Sequence, residues 1–115
     1  MKIVSWNVAG LRAQLKKPYI IDMIKEINPD IICLQETKCN SDEVKIPDEI
    51  LSIYPWMFWN STKGTTQRKG LSGTAIWSKI RPESQIEPPE SDEEGRITTF
   101  EFKEFILMTN YTPNS

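Results

Sequence analysis

Residues 31–38, IICLQETK, form an apolar run that ends abruptly on a glutamine and a glutamate. A continuous run such as Ile31–Gln35 is typical of a strand that is buried on both faces. Upstream, residues 2–6 favour a second short strand. Apolar residues at helical spacing separate the two strands: Leu11, Leu15, Ile20, Met23, Ile24 and Ile27. Because strand–helix–strand crossovers are right-handed, this order predicts two parallel and adjacent strands in one sheet.

The carboxyl ends of these two strands carry the first candidate site residues. Asn7 ends the first strand and Glu36 directly follows the second. Parallel strands end at one edge of a sheet, where binding sites of such sheets form, so we expect the two side chains to meet there. Their oxygens suit magnesium. Two simpler interpretations stay open at this point: Glu36 as an exposed residue at a strand end, and Asn7 as a turn former.

The rest of the chain predicts closely spaced strands and one short helix. The helix is expected at residues 47–53. Strands are expected at residues 56–60, 74–78, 96–103 and 105–111, the last two joined by a tight turn at Lys103-Glu104. The acid-rich segment 83–94 is typical of a solvated surface loop. We therefore expect an α/β fold of the α+β type, with one mixed sheet and helices on one face.

Composition bounds the chemistry that the chain can perform. It has 115 residues, which allows one domain, and a formal net charge of −2. It contains no histidine, so Ser-His-Asp and Cys-His catalysis cannot be built within it. Its two cysteines lack the spacing of a zinc site and favour a reducing compartment. No segment is typical of a signal peptide or a membrane span. A metal site would use oxygen ligands.

Two groups of basic residues follow strands and suit contacts to a phosphate backbone. The first contains Arg12, Lys16 and Lys17, and the second contains Lys63, Arg68 and Lys69. A solvated face is the alternative for both. The segment 70–73, GLSG, permits close backbone approach, and Tyr111 and Asn114 are placed to reach the same sheet edge as Glu36. The residues alone thus indicate an oxyanion or phosphate site with a hard metal.

Five segments carry a resemblance to one known family. They are SWNVAGLRA at 5–13, LQETK at 34–38, GLSGTA at 70–75, EGR at 94–96 and YTPN at 111–114. Together they resemble the exonuclease III type apurinic/apyrimidinic endonucleases of the endonuclease/exonuclease/phosphatase superfamily. Each segment is weak alone, whereas five in the family's order are specific. The resemblance runs over essentially the whole chain.

The resemblance implies a two-sheet α/β sandwich and a DNA repair nuclease. Such an enzyme hydrolyses the phosphodiester 5′ to an abasic site by a metal-activated water and often has 3′ to 5′ exonuclease activity. The implied cofactor is magnesium, with manganese as the alternative. The implied partner is double-stranded DNA with abasic sites or 3′ ends, and not a membrane. An intracellular location follows, in the nucleus if the source is eukaryotic and otherwise in the cytoplasm.

The resemblance also assigns roles to individual residues. Glu36 and Asn7 are implied as metal ligands, and Tyr111, Asn114 and Asn7 as catalytic residues. From the basic groups and the glycine segment together with the resemblance, DNA and phosphate binding is expected for a larger set: Arg12, Lys38, Lys63, Arg68, Lys69 and Gly70. One departure from the family pattern is Ala9, because many members carry Asp or Asn at this position. An alanine cannot make the secondary contact to a metal-bound water that those side chains would make.

A second departure is length, because family members are much longer than this chain. We therefore expect residues 1–115 to be the N-terminal portion of a domain whose C-terminal half and second sheet are absent. We expect this portion to be inactive alone and to need that half or self-association for stability. Two other functions stay open: a lipid or inositol-phosphate phosphodiesterase of the same superfamily, and a truncated DNA-binding fragment without catalysis. Lys38 and the segment 10–13 favour the DNA branch.

Overall fold

A computed structural model of the protein describes residues 1–39, 41–60, 73–89, 92 and 95–111. Within them the chain forms two β-sheets that pack face to face, with helices on the outer face of the first sheet. The expected α/β class and the helices on one face are confirmed. None of the described helices is long and apolar enough to cross a membrane.

The first sheet has four strands in the order β1-β2-β4-β3. These are β1 (Ile3–Asn7), β2 (Ile31–Gln35), β3 (Trp56–Asn60) and β4 (Thr74–Ser78). β1 and β2 are parallel neighbours, as the crossover rule predicts, while β4 runs antiparallel to both of its neighbours. The register pairs Asn7 with Gln35, so both strands end at the same edge.

Three helices and a 3₁₀ turn connect these strands. They are α1 (Leu11–Leu15), α2 (Ile20–Ile27), α3 (Asp48–Ile53) and the 3₁₀ turn Ser41–Glu43. Asn28 ends α2 in the left-handed conformation, and its N–H donates to the Ile24 carbonyl at 2.8 Å. The helices bury apolar side chains against the sheet and form the first core with Ile32, Leu34 and Trp77.

A second, three-stranded antiparallel sheet has the order β5-β6-β7. Its strands are β5 (Ser84–Ile86), β6 (Ile97–Glu101) and β7 (Ile106–Asn110). The predicted mixed sheet is confirmed as the first sheet, whereas the expectation that the second sheet is absent is wrong. β2 and β3 already occupy both edges of β4, so β6 and β7 pair with each other. Their apolar side chains then pack on the free face of the first sheet.

The side chains of β2 alternate between two apolar cores, one under the helices and one between the two sheets. Ile31 and Cys33 lie in the second core with Ile76, Phe100 and Phe102, whereas the alternate residues of β2 lie in the first core. Because strand side chains alternate, Gln35 belongs to the face that meets the second sheet. The apolar layer therefore ends at this glutamine, next to Glu36.

The acid-rich segment 83–94 is not simply a solvated loop, because it contains β5 and a buried carboxylate. Asp92 is only 8% exposed. Its carboxylate accepts hydrogen bonds from the backbone N–H groups of Arg96 (2.8 Å) and Ile97 (3.0 Å), and from Nδ2 of Asn60 (2.8 Å). The sequence interpretation missed this role because an aspartate that accepts backbone bonds a few residues ahead resembles any polar loop residue. Asp92 joins the end of β3 to the start of β6.

Candidate functional site

A cleft of about 820 Å³ opens between the two sheets. Its lining comes from β1, from the end of β2 and from β7, and consists of Ile3, Ser5, Asn7, Cys33, Gln35, Glu36 and residues 107–111. The polar members cluster where β1, β2 and β7 end. This is the edge at which the sequence predicts the site.

The loops that leave β1 and β2 are hydrogen-bonded to each other beyond the strands. The Val8 N–H donates to the Gln35 carbonyl at 3.0 Å, and the Gly10 N–H donates to the Glu36 carbonyl at 2.8 Å. The Leu11 N–H continues the series to the Thr37 carbonyl at 3.0 Å. The backbone that carries Asn7 and Glu36 is therefore held as one unit.

Both loops contain left-handed backbone at residues other than glycine. Ala9, Glu36 and Lys38 have φ values of 46°, 53° and 57°. Gly10, which directly follows Ala9, has a φ of 101°, a value that only glycine adopts readily. Such conformations are unfavourable by about 1–3 kcal/mol each and cluster at functional sites. The surrounding hydrogen bonds impose this backbone and turn the Glu36 side chain toward the cleft that it lines.

Glu36 and Tyr111 are in direct contact across the cleft. The Tyr111 hydroxyl donates to Oε1 of Glu36 at 3.3 Å, and both side chains are half-buried. The Tyr111 N–H donates to the Arg96 carbonyl at 2.8 Å, which holds the end of β7 against the start of β6. The structure thus brings Tyr111 to the edge that carries Glu36.

Asn7 lines the same cleft and also closes a turn. Its Oδ1 accepts the Ala9 N–H at 3.0 Å. This is the turn-forming role that stayed open for asparagine. That bond fixes the orientation of the exposed Asn7 amide beside Glu36, so the structural role and a site role are compatible.

Gln35 is a cleft residue that sequence reasoning did not single out. Its Nε2 donates to Oγ1 of Thr109 (2.9 Å) and Oγ of Ser5 (3.0 Å), and lies 3.2 Å from the Cys33 carbonyl. A signal was available: strand alternation places this polar residue on the same face as the apolar Ile31 and Cys33.

Two of the predicted DNA-binding residues, Lys38 and Arg12, lie among the described residues. The stem of Lys38 passes over Gly10, where a Cβ atom would lie 3.9 Å from Cδ of the lysine. Arg12 is exposed on α1, and its positive charge partly offsets the rise in the Cys39 pKa that burial causes. Five further predicted site residues lie outside the described residues: Lys63, Arg68, Lys69, Gly70 and Asn114.

The donor atoms at the cleft fit a hard divalent cation. Among the described residues that line it, Glu36 supplies the only carboxylate, beside the amide of Asn7. No cluster of three His, Cys, Asp or Glu side chains occurs within the described ranges. Magnesium commonly takes one or two carboxylates and completes its shell with water and substrate phosphate oxygens. Glu36 and Asn7 therefore fit magnesium or manganese better than zinc.

Both cysteines are free and buried. Burial raises the pKa of Cys33, which lines the cleft, to about 11. The neutral thiol is a weak nucleophile, because the thiolate is the reactive form. Cys33 therefore does not fit the role of a nucleophile in the cleft.

Comparisons with known proteins agree with this architecture. The endonuclease/exonuclease/phosphatase family description matches residues 4–113. The whole chain aligns over 118 residues with an exodeoxyribonuclease from Bacillus subtilis at 44% identity, and the alignment covers 44% of that protein's length. It aligns over 120 residues with the DNA repair nuclease APEX1 from Danio rerio at 43% identity, and the alignment covers 37% of that protein's length.

A solved structure of an AP endonuclease from Archaeoglobus fulgidus superposes with a TM-score of 0.73 at 28% identity, covering 98% of this chain and 41% of that one. The chain thus spans less than half the length of the relatives that it matches. The matched segments include the residues that line the cleft. The chain belongs to the endonuclease/exonuclease/phosphatase family.

Proposed function

We propose that this protein is a DNA repair nuclease that hydrolyses the phosphodiester 5′ to an abasic site, with 3′ to 5′ exonuclease activity at the same site. The observation that carries the proposal is the contact between Tyr111 and Glu36 beside Asn7, in a cleft at the carboxyl ends of parallel strands. Relatives named exodeoxyribonuclease and DNA repair nuclease support a DNA substrate. Such a substrate implies an intracellular location, in the nucleus of a eukaryote or the cytoplasm of a bacterium.

In this proposal Glu36 and Asn7 hold a magnesium or manganese ion. When bound, the ion supplies positive charge that offsets the charge developing on the phosphoryl and leaving oxygens. The Tyr111 hydroxyl donates to the Glu36 carboxylate and so restricts its orientation. Asn7 keeps its amide fixed through the bond from Ala9 and presents it to the same cleft. Asn114 is proposed to bind the scissile phosphate.

We further propose that local basic groups bind the DNA backbone. The net charge of −2 rules out attraction by bulk charge, so the contacts must come from patches. Arg12 lies on α1, and Lys38 lies on the loop that follows β2, with its stem over Gly10. The other proposed phosphate contacts are Lys63, Arg68, Lys69 and Gly70. Binding through such contacts weakens steeply as salt rises.

Residues 1–115 by themselves are proposed to supply only part of the catalytic site. They contain no histidine, and one carboxylate lines the described cleft. We also propose that they need further polypeptide or self-association for stability. The support is that apolar side chains are exposed on two edge strands, β1 and β7. These side chains are Ile3 (45% exposed), Ile106 (60%) and Met108 (58%). Exposed apolar strand edges favour association. A stable monomer in ultracentrifugation would contradict this part of the proposal.

The test is incision of a labelled duplex that carries one abasic-site analogue, with magnesium or with chelator. The enzyme used is residues 1–115 together with the further polypeptide that completes the proposed site, called the full-length protein below. The proposal predicts magnesium-dependent cleavage on the 5′ side of the lesion and no cleavage of the matched intact duplex. Vesicles with phosphatidylinositol phosphates or sphingomyelin form the second arm. Lipid hydrolysis without DNA incision would replace the proposal with the lipid or inositol-phosphate alternative. Salt-sensitive DNA binding without hydrolysis would favour a non-catalytic DNA-binding protein.

A further inference from the structure

Gln35 joins both sheets at the cleft. It ends β2 in the first sheet, and its amide donates to Thr109 of β7 in the second sheet at 2.9 Å. The same nitrogen reaches Ser5 of β1 at 3.0 Å and the Cys33 carbonyl at 3.2 Å. One side chain thus links three strands directly before Glu36.

The surroundings make this link restrictive. Thr109 is only 5% exposed, and the layer that continues from it is apolar, with Cys33, Ile76 and Phe100. Apolar contacts are not directional, so by themselves they specify the spacing of the sheets less closely than hydrogen bonds do. Hydrogen bonds in such surroundings are directional and are unfavourable to leave unmade. The bond from Gln35 to Thr109 therefore fixes the spacing of the sheets at this end.

That spacing determines where Tyr111 meets Glu36. Gln35 and Glu36 are consecutive on one side of the cleft, and Thr109 and Tyr111 lie two residues apart on the other. Residues two apart along a strand direction share a face. The two cross-sheet bonds, Gln35 to Thr109 and Tyr111 to Glu36, therefore stand side by side.

We propose that Gln35 is a positioning residue for the site: through Thr109 it holds the Tyr111 hydroxyl against the Glu36 carboxylate. The inference rests on the proposed nuclease function and deepens it. It assigns Gln35 no contact with substrate. Its effect reaches the reaction through the orientation of Glu36 and Tyr111.

The direct test is Gln35→Met in the full-length protein, which keeps the side-chain length and removes the amide. We expect kcat for abasic-site incision to fall about 10- to 100-fold, as for outer partners of metal ligands, with KM for DNA nearly unchanged. Thr109→Val should reproduce the loss, and Thr109→Ser, which retains the hydroxyl, should restore most of the activity. The double variant Gln35→Met/Thr109→Val should lose little more than either single variant, because both substitutions break the bond between Gln35 and Thr109.

A readout independent of turnover separates positioning from general weakening. The ¹³Cζ resonance of labelled Tyr111, assigned by its loss in Tyr111→Phe, reports on the hydroxyl's hydrogen bond. We expect it to shift in Gln35→Met and Thr109→Val. Ser78→Ala is the matched control, since its buried hydroxyl donates to the Ile80 carbonyl at 2.8 Å at the opposite end of β4. This control should lower stability while leaving kcat and the Tyr111 resonance unchanged.

The outcomes distinguish this inference from the proposed function. If the wild-type protein does not incise the abasic duplex, the proposed function itself fails. If Glu36→Gln is inactive while Thr109→Val keeps the wild-type kcat and Tyr111 resonance, the positioning role of Gln35 is overturned alone. An equal loss of kcat in Ser78→Ala would also overturn it, because the effect would then be one of stability. Should Gln35→Met fail to fold, the pair Thr109→Val and Thr109→Ser still decides the question.

Discussion

The Tyr111 hydroxyl donates a hydrogen bond of 3.3 Å to Oε1 of Glu36, and the two residues follow strands of different sheets. They are 75 positions apart in the sequence. The contact exists because the sheets pack face to face and β2 and β7 end at one edge of the cleft. The candidate site is therefore a product of the sandwich and not of one loop.

Removing this hydroxyl should impair catalysis with little effect on folding. Tyr111→Phe keeps the ring and deletes the donor to Glu36. We expect kcat for abasic-site incision to fall about 10- to 100-fold, because outer partners orient a ligand carboxylate. Single-turnover incision by the full-length protein measures the effect. Tyr19→Phe, at an exposed tyrosine before α2, is the control and should be unchanged. Wild-type kcat in Tyr111→Phe would show that the contact has no part in the reaction.

The buried carboxylate of Asp92 should contribute strongly to stability. Asp92→Ala removes the acceptor for the N–H groups of Arg96 and Ile97 and for the Asn60 amide. We expect the free energy of unfolding to fall by about 2–3 kcal/mol, because hydrogen bonds to charged groups are strong and buried donors would lose their partner. Urea titration measures this change. Glu87→Ala, at an exposed residue of the same segment, should change it by less than about 0.5 kcal/mol. Equal effects of the two substitutions would contradict the anchoring role.

Stability should decline at alkaline pH because two buried groups resist ionisation. Burial raises the pKa of the Cys33 thiol from 9.0 to about 11. Burial, with the nearby charge of Asp30, raises the pKa of Tyr54 from 10.0 to about 12. The folded state binds these protons more tightly than the unfolded state. Stability is therefore fully present below the unfolded pKa values and is lost as pH rises through the folded ones.

Urea unfolding between neutral pH and about pH 10 tests this dependence. We expect the free energy of unfolding to fall as the pH rises past the unfolded pKa of cysteine, and to fall less steeply in Cys33→Ala. The comparison uses the slope with pH, because the substitution also removes packing in the layer between the sheets. Equal slopes in both proteins would show that the Cys33 thiol titrates alike when folded and unfolded.

Much of the first sheet could be predicted from the sequence. The strands Ile31–Gln35, Trp56–Asn60 and Thr74–Ser78 match the predicted bounds residue for residue. Apolar runs that are bounded by turn residues mark strand ends sharply. The meeting of Asn7 and Glu36 at one edge follows from the handedness of the crossover, and the structure confirms that geometry. Their metal-binding roles stay predictions.

The division into two sheets could not be predicted in the same way. Alternation shows that residues 96–103 and 105–111 are strands, but it does not show which strands they pair with. Phe100 and Phe102 face Ile76 across the sheets, and only the packed structure shows this. For the same reason, the bond between Gln35 and Thr109 has no local signal, because it joins residues from different sheets.

The most direct test of the account compares Glu36→Gln with the wild-type full-length protein in magnesium-dependent incision of a duplex with one abasic-site analogue. Glu26→Gln, an exposed residue of α2, makes the same change in charge away from the cleft and is the control. We predict that Glu36→Gln loses at least about 100-fold in kcat, because the cleft's carboxylate no longer binds the ion, while Glu26→Gln is unchanged. Undiminished magnesium-dependent incision by Glu36→Gln would contradict the central claim that this carboxylate carries the metal site.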